Sequence, residues 1–537
     1  MKVSIPLCVL LLLGAIGLTA SDARCEDAAQ PVDFARQVLP VLSEKCFVCH
    51  GPDTKKKDLV RLDSFEGATR DLGGYRAIDP AAPDESEILV RIHDADDPMP
   101  PRKAEKQLTE SERALISQWV REGGRYARHW AFVPPSRTRP PTDASAGLGA
   151  IDAFIRADLK ANQIDFAPAA DRAVLARRAA LVLTGLPPEP EQLEAFLNDQ
   201  RDDAYERFVD QLLASPRYGE HQARYWLDAV RYGDTHGLHL DNRRAIYPYR
   251  DWVVRAFNDN LPLDAFITWQ LAGDLLPEPT LAQRVATGFV RMNPTTAEGG
   301  AIPAEFQAKN NFDRTETLGT VLLGMSFTCA RCHTHKYDPI TQTEYYRLFA
   351  FFNSTAEHSM DGNKYEYSPV IKAPPDIASW RQWQTLIAQR EKDNASPELD
   401  KQIAELEKTF TPTLVAQELP KPRETKLLER GEYNLPVGEP LSPGVPAVMG
   451  RLPDDAPPNR LGLAQWLTSR DNPLVSRVLI NRVWQRVFGH GLVRTPEDFG
   501  VQGRQPTHPE LLDWLAVELQ DSGWDLKHML RLMVMSR

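Results

Sequence analysis

Two cysteines separated by two residues and followed at once by a histidine, Cys46-Phe47-Val48-Cys49-His50, constrain this chain more than any other stretch. On one helical turn, residues three and four apart share a face, so these three side chains would stand around one point. This is the attachment pattern of a c-type haem: the thiols add across the porphyrin vinyl groups and the histidine offers a ring nitrogen to the iron. A thioredoxin-like dithiol, half of a zinc site and a local disulfide also use C-x-x-C, but the trailing histidine favours haem. The pattern recurs at Cys329-Ala330-Arg331-Cys332-His333. There the readings are a second haem, or half of a four-cysteine zinc site shared with Cys46 and Cys49. Zinc would leave both trailing histidines without a role, so haem is again favoured.

The start of the chain fits that chemistry. Lys2 precedes an apolar run from Ile5 to Leu18, and small residues with cleavage points after Ala20 or Ala23 follow it. The run is short for a membrane span and is read as a secretory signal over 1–23, with an uncleaved anchor as the alternative. Arg24 before Cys25 argues against a lipoprotein signal. Of the six cysteines, Cys8 leaves with the signal, four lie in the two motifs, and Cys25 has no assigned role. An exported chain normally places its cysteines in disulfides; here both pairs are too local to staple a fold, which favours cofactor attachment. A net charge of −11 without a basic patch argues against a nucleic-acid partner.

Residues 31–128 read as a small helical domain. Asp33 caps a short helix with Phe34 and Val38 on one face, and Pro40 restarts the chain toward Cys46. Thr109 and Glu112 form a capping box that opens a helix with Leu115, Ile116, Trp119 and Val120 on its apolar face, ended by Gly123-Gly124. Between these helices lies Asp97-Pro98-Met99-Pro100-Pro101. A methionine in a proline-stiffened loop, outside any helical periodicity, is a soft ligand held ready for haem iron. His93 is the competing ligand and reads as a helix-end residue.

The run from Val32 to Phe132 resembles the planctomycete-type cytochrome c domain. The resemblance rests on Cys46-Phe47-Val48-Cys49-His50-Gly51-Pro52, Val60-Arg61-Leu62-Asp63, Met99-Pro100-Pro101 and Trp119-Val120-Arg121-Glu122-Gly123-Gly124. It departs from the family at Arg76-Ala77-Ile78-Asp79-Pro80, where glycines and a Pro-Gly turn are usual. The resemblance implies a haem c domain of an exported protein.

A Pro-rich linker is expected over 129–150, and a large helical domain over 151–355. Within the latter, helices are expected over Arg172–Leu183 and Ala204–Ala214. Tyr225-Trp226-Leu227-Asp228, Tyr249-Arg250-Asp251-Trp252, Gln270-Leu271-Ala272-Gly273-Asp274 and the stretch from Cys329 to Pro339 resemble the domain of unknown function that follows the cytochrome in planctomycete exported proteins. Residues 356–455 read as a helical hairpin over 376–410, then an extended Pro- and Gly-rich segment with a small sheet. Residues 456–537 resemble the start of the family's C-terminal domain, on Asn481-Arg482-Val483-Trp484, Glu497-Asp498-Phe499-Gly500 and the stretch from His508 to Leu515. Its last helix is expected to be cut by the chain end.

The fold class is therefore mainly α and multidomain: a small cytochrome c-like helical domain, a large all-α domain, a short extended or β segment, and a truncated helical C-terminal domain. Cys46, Cys49, Cys329 and Cys332 are the expected attachment residues for one haem c and a second. His50, Met99 and His333 are the expected iron ligands. His335 is placed for a hydrogen-bonding role, and His236, His239, Met325 and His358 are further ligand candidates. Should the middle domain catalyse, His236, Glu298 and Asp313 are its candidate acid, base or metal groups, and Asp313 with Arg314 reads as an ion pair. The expected function is an exported, periplasmic or secreted c-type cytochrome. It would exchange electrons with an unknown redox partner protein, feed an oxidoreductase activity of the middle domain, and have no membrane span beyond the signal. The alternative is a periplasmic or cell-surface binding protein with cysteine-ligated zinc.

Overall fold

A computed structural model of the chain describes residues 32–51, 54, 60–141, 149–238, 240–392 and 396–537. The expected signal segment 1–23, Cys8, Cys25 and His239 lie outside the described residues.

Two hydrophobic cores organise the molecule. The first belongs to the N-terminal domain. A π-helical turn over Phe34–Val38 runs directly into α1 (Leu39–Lys45), so the helical path continues through Pro40 and does not restart there. Then follow α2 (Phe47–His50), α3 (Phe65–Thr69), α4 (Glu87–His93) and α5 (Glu110–Arg121). The capping box on α5 forms as its residues demand, with Thr109 accepting from the Glu112 backbone and Glu112 reaching back to Thr109. Phe34, Val38, Leu42, Ile88, Ile92, Ile116, Trp119 and Val120 are buried together. Fully burying each such large side chain contributes about 1.5–3 kcal/mol. The Phe34 ring lies 5.2 Å from Trp119 and 4.4 Å from Tyr126, which joins the start of the domain to its end.

The second core is continuous from Ala131 to Met533. Its helices are α6 (Ala150–Ala161), α7 (Arg172–Thr184), α8 (Pro190–Asn198), α9 (Ala204–Ala214), α10 (Pro216–Ala229), α11 (Tyr247–Asn258), α12 (Leu263–Ala272), α13 (Leu281–Ala286), α14 (Pro303–Leu318) and α15 (Gln342–Asn353). They are joined later in the chain by α18 (Arg460–Thr468), α19 (Val475–Phe488), α20 (Pro509–Asp521) and α21 (Leu526–Val534). α7 is capped by Asp171 and closed by Gly185 at φ 74°, a left-handed position suited to glycine. α12 packs on α18 and α19 on α20, so the C-terminal helices complete the core of the middle ones. α21 ends at Val534, three residues before the last residue, with the Met535 N–H bonded to the Arg531 carbonyl.

Between the two groups of helices, α16 (Ile377–Lys392) and α17 (Pro397–Glu407) pack as a hairpin. This hairpin connects two strands, β1 (Val370–Ala373) and β2 (Thr411–Leu414), which pair antiparallel with Val370 opposite Leu414. β1 lies ahead of the hairpin, outside the segment where extended chain is expected; four residues are too few to show a period. A second pair, β3 (Leu427–Leu428) and β4 (Pro436–Val437), follows in the Pro- and Gly-rich segment. Among the described residues these are the only sheets, and the fold is mainly α.

The beginning of the expected linker is docked rather than free. Ala131 and Phe132 are buried, and Arg477 on α19 donates to the carbonyls of Trp130 and Val133 while pairing with Asp513 at 2.7 Å. Arg137 pairs with Glu518 and Asp521.

Candidate functional site

The first C-x-x-C-H lies where α1 gives way to α2. The N–H groups of Cys49 and His50 both bond the Cys46 carbonyl, at 3.1 and 2.9 Å, closing one helical turn. Cys46 and His50 are half-buried and Cys49 is exposed. Two links fix this turn in the domain. Lys45 reaches Glu112 at 2.6 Å and the Gln107 carbonyl at 2.9 Å, tying the end of α1 to the start of α5. The Leu62 N–H bonds the His50 carbonyl at 2.8 Å, and the Tyr126 hydroxyl in turn donates to the Leu62 carbonyl.

These residues open onto a cavity of about 750 Å³. Cys46, Cys49 and His50 line one part of it, with Val60 and Leu62 beside them. Ile88, Arg91 and Ile92 from α4 and the run Met99-Pro100-Pro101 line the rest. The methionine loop is held to α4 by the Met99 N–H bonded to the Arg91 carbonyl at 2.8 Å and by the Arg91–Asp97 ion pair at 2.7 Å. Proline on its C-terminal side stiffens the chain further. His93 behaves differently. It ends α4, is exposed, and places Nε2 3.0 Å from the Ser117 hydroxyl; it lines a smaller adjoining cavity, which shares Ile92, Met99 and Pro100 with the one that holds His50, and does not line that one.

The His50 ring is oriented by the carbonyl of Val60, 3.0 Å from Nδ1. A carbonyl only accepts, so Nδ1 carries the hydrogen and Nε2 keeps its lone pair. Metal-binding histidines are commonly set in this way. Burial pushes the Cys46 thiol up to about 12. A largely apolar cavity of this size, two thiols at its wall, an imidazole with a free Nε2 and a thioether elsewhere in the lining fit a covalently bound haem.

Residues 46–103 match the family model for planctomycete cytochrome C. Over those residues the chain is similar to the planctomycete cytochrome C family. Two further family models match in the same order as the resemblance implies: a protein of unknown function (DUF1549) over residues 150–357, and another (DUF1553) over 459–537. No curated protein and no solved structure matches the chain.

The second C-x-x-C-H, beyond the cytochrome C domain, lies on a 3-10 turn over Thr328–Arg331 and is exposed at Cys329, Cys332 and His333. Its middle residue is the anchor. Arg331 pairs with Glu316 at 2.5 Å and lies over the Phe312 ring, and its carbonyl accepts from Gln342 and the Tyr346 hydroxyl. His333 Nδ1 is 2.7 Å from the Thr334 carbonyl. His335 is buried and its Nδ1 accepts from the Asp338 N–H at 2.9 Å, a hydrogen-bonding role. Asp338 accepts from the Val501 N–H at 2.8 Å and leaves no room for a side chain at Gly500, where a Cβ would lie 2.4 Å from Asp338 Oδ1. Burial raises the Asp338 carboxyl and lowers the His335 imidazole, each toward its neutral form. Lys336 in the same loop stands beside Glu44 and Lys106 of the cytochrome C domain. Among the described residues no group of three or more His, Cys, Asp or Glu is gathered to hold a metal ion, so the four cysteines do not form one site.

The expected acid and base groups of the middle domain have different partners. His236 is buried, with Nε2 2.9 Å from the Lys364 carbonyl and Nδ1 3.4 Å from Asp361. Glu298 is exposed in a turn whose start is tied to His236 through the Thr295 N–H and the His236 carbonyl. Asp313 pairs with Arg231, not with Arg314. Neighbours on a helix point about 100° apart, and Arg314 turns inward to a buried ion pair with Glu357. Among the described residues no hydrogen bond or ion pair joins His236, Glu298 and Asp313. Met325 is fully buried in the second core and His358 is exposed.

Sequence reasoning missed the Val60 carbonyl and the Arg91 wall, both of which depend on tertiary contacts. It also missed the buried Arg314–Glu357 pair, for which an arginine followed by threonines on an otherwise mixed helix is the only local signal.

Proposed function

We propose that the chain is an exported c-type cytochrome whose N-terminal domain would carry haem c on Cys46 and Cys49, with His50 and Met99 as the residues that would hold its iron. The observation that carries this reading is the shared cavity: the motif residues and Met99 line it together, and His93 does not. When bound, the group supplies one-electron transfer. The protein's part is attachment by two thiols, presentation of Nε2 by the His50–Val60 bond, a thioether held by the Met99 loop, and a largely apolar wall that excludes water.

A second haem on Cys329 and Cys332 with His333 is part of the proposal. The identical spacing and the exposure of the thiols support it, and Lys336 beside Glu44 puts that loop against the cytochrome C domain. Electrons would then pass between the domains and on to a redox partner protein. Export to the periplasm or beyond is part of the same proposal, supported by the leader pattern and by the oxidising-side chemistry of haem c attachment. No helix among the described residues is long and apolar enough to cross a membrane.

The test is a visible spectrum of protein produced in a host that exports and matures c-type cytochromes. Sharp bands that appear on reduction, persist after denaturation, and weaken on Cys329→Ala with Cys332→Ala support both sites. A colourless protein overturns the proposal; a haem content of one that the double substitution does not change removes only the second site.

A further inference from the structure

A second cavity, of about 530 Å³, lies between the middle and C-terminal helices, and no residue of either cysteine motif lines it. Trp226, Phe257, Phe266, Ile267 and Leu479 give it an apolar wall. Into this wall α19 sends two arginines one turn apart, Arg482 and Arg486. They differ in what satisfies them. Arg482 donates to the carbonyls of Thr320 and Pro496 at 3.0 and 3.2 Å and has Glu497 at 3.5 Å. Arg486 has one long hydrogen bond, 3.4 Å to Gln222 Oε1, and among the described residues no carboxylate pairs with it. Its charged neighbours are Arg482 and Arg224, both positive.

A half-buried guanidinium beside two others is costly unless an anion joins it. Burial, reinforced by those arginines, draws its pKa down to about 10. The Tyr225 ring covers the Arg486 guanidinium at 4.4 Å and Arg224 at 4.7 Å, which fixes the plane of the Arg486 fork. A planar fork held in place is suited to paired hydrogen bonds with a carboxylate. The rim carries Asp228 and Glu497, so a second negative charge on a ligand would meet carboxylates.

We propose that this cavity binds a small organic monocarboxylate with an apolar body, its carboxylate on Arg486 and its body against the aromatic wall. The site is independent of the haem reading.

The test is calorimetric titration of the full chain with benzoate, benzamide and inorganic phosphate. Benzoate should bind saturably and raise the melting temperature, while benzamide and phosphate do neither. Arg486→Met, which keeps the packing of the stem, should weaken benzoate roughly tenfold or more, through loss of charge-assisted hydrogen bonds. Arg137→Met, at a surface ion pair remote from the cavity wall, should leave the affinity unchanged. Glu497→Gln alters an exposed side chain and should tighten benzoate several-fold by freeing Arg482, which keeps the test alive if Arg486→Met fails to fold. Absence of saturable benzoate binding by the parent, equal binding of benzamide, or an affinity unmoved by the arginine and glutamate substitutions overturns the proposal.

Discussion

His50 Nδ1 lies 3.0 Å from the Val60 carbonyl oxygen, across ten residues of chain. That single bond assigns the tautomer of the one histidine in the cytochrome C cavity and leaves Nε2 for a metal. It also explains why Val60-Arg61-Leu62 belongs with the cysteine motif: the carbonyl of residue 60 and the N–H of residue 62 bracket His50 from its ring and its backbone.

The first prediction concerns the residue that shares this cavity. Met99→Ala should leave covalent haem in place, because attachment depends on Cys46 and Cys49. It should lower the reduction potential, by on the order of 0.1 V, and remove the weak near-infrared sulfur-to-iron band, since a neutral thioether favours ferrous iron. His93→Ala should change neither. Spectroelectrochemistry of the two variants separates the ligands, and the reverse pattern would make His93 the ligand.

The buried Arg314–Glu357 pair sets a stability prediction. Glu357 also accepts from the Thr355 hydroxyl at 2.7 Å. Against its burial, Arg314 and then Arg291 hold the carboxyl down to about 2. Glu357→Gln leaves the arginine charge buried and should destabilise the chain by about 3–5 kcal/mol in urea unfolding. With the folded pKa below the unfolded one, this stabilisation is complete above about pH 4.5 and is lost as pH falls toward 2. The variant should lose that part of the acid dependence.

His129 gives a dependence at higher pH. It is buried at the junction between the two cores, and burial lowers its pKa to about 4, with Asp33 opposing. Between about pH 6.5 and 4 the unfolded chain takes up a proton that the folded chain does not, so stability falls as pH falls, by up to about 3 kcal/mol. His129→Asn should make the curve shallower in that window, where His221 and His335, also lowered by burial, still contribute, while leaving the slope below pH 4 in place. Urea midpoints measured from pH 7 to 4 check this, and an unchanged slope contradicts it.

Local chemistry made much of the architecture legible. The capping box at Thr109 and Glu112, the closure of α7 at Gly185 and the bounds of α9 between Ala204 and Ala214 each depend on residues within one or two turns. The cysteine motif and the Met-Pro-Pro loop were legible for the same reason, as short patterns with their own chemistry. What was not legible is set by partners far away in the chain. Arg314 faces Glu357 rather than its neighbour Asp313 because the helix turns them apart. β1 exists because β2 pairs with it forty residues later. Arg486 is left without a carboxylate partner because what α10 brings against its guanidinium is Tyr225 and Gln222.

The account rests on the attachment of haem to one turn of helix, and peptide mapping by mass spectrometry tests that most directly. Protein matured in an exporting host is denatured, alkylated and digested, and the peptide spanning Cys46 to His50 is identified. The account predicts that this peptide carries the mass of haem with both thiols blocked to alkylation. Recovery of the same peptide with Cys46 and Cys49 both alkylated and no haem attached would contradict it.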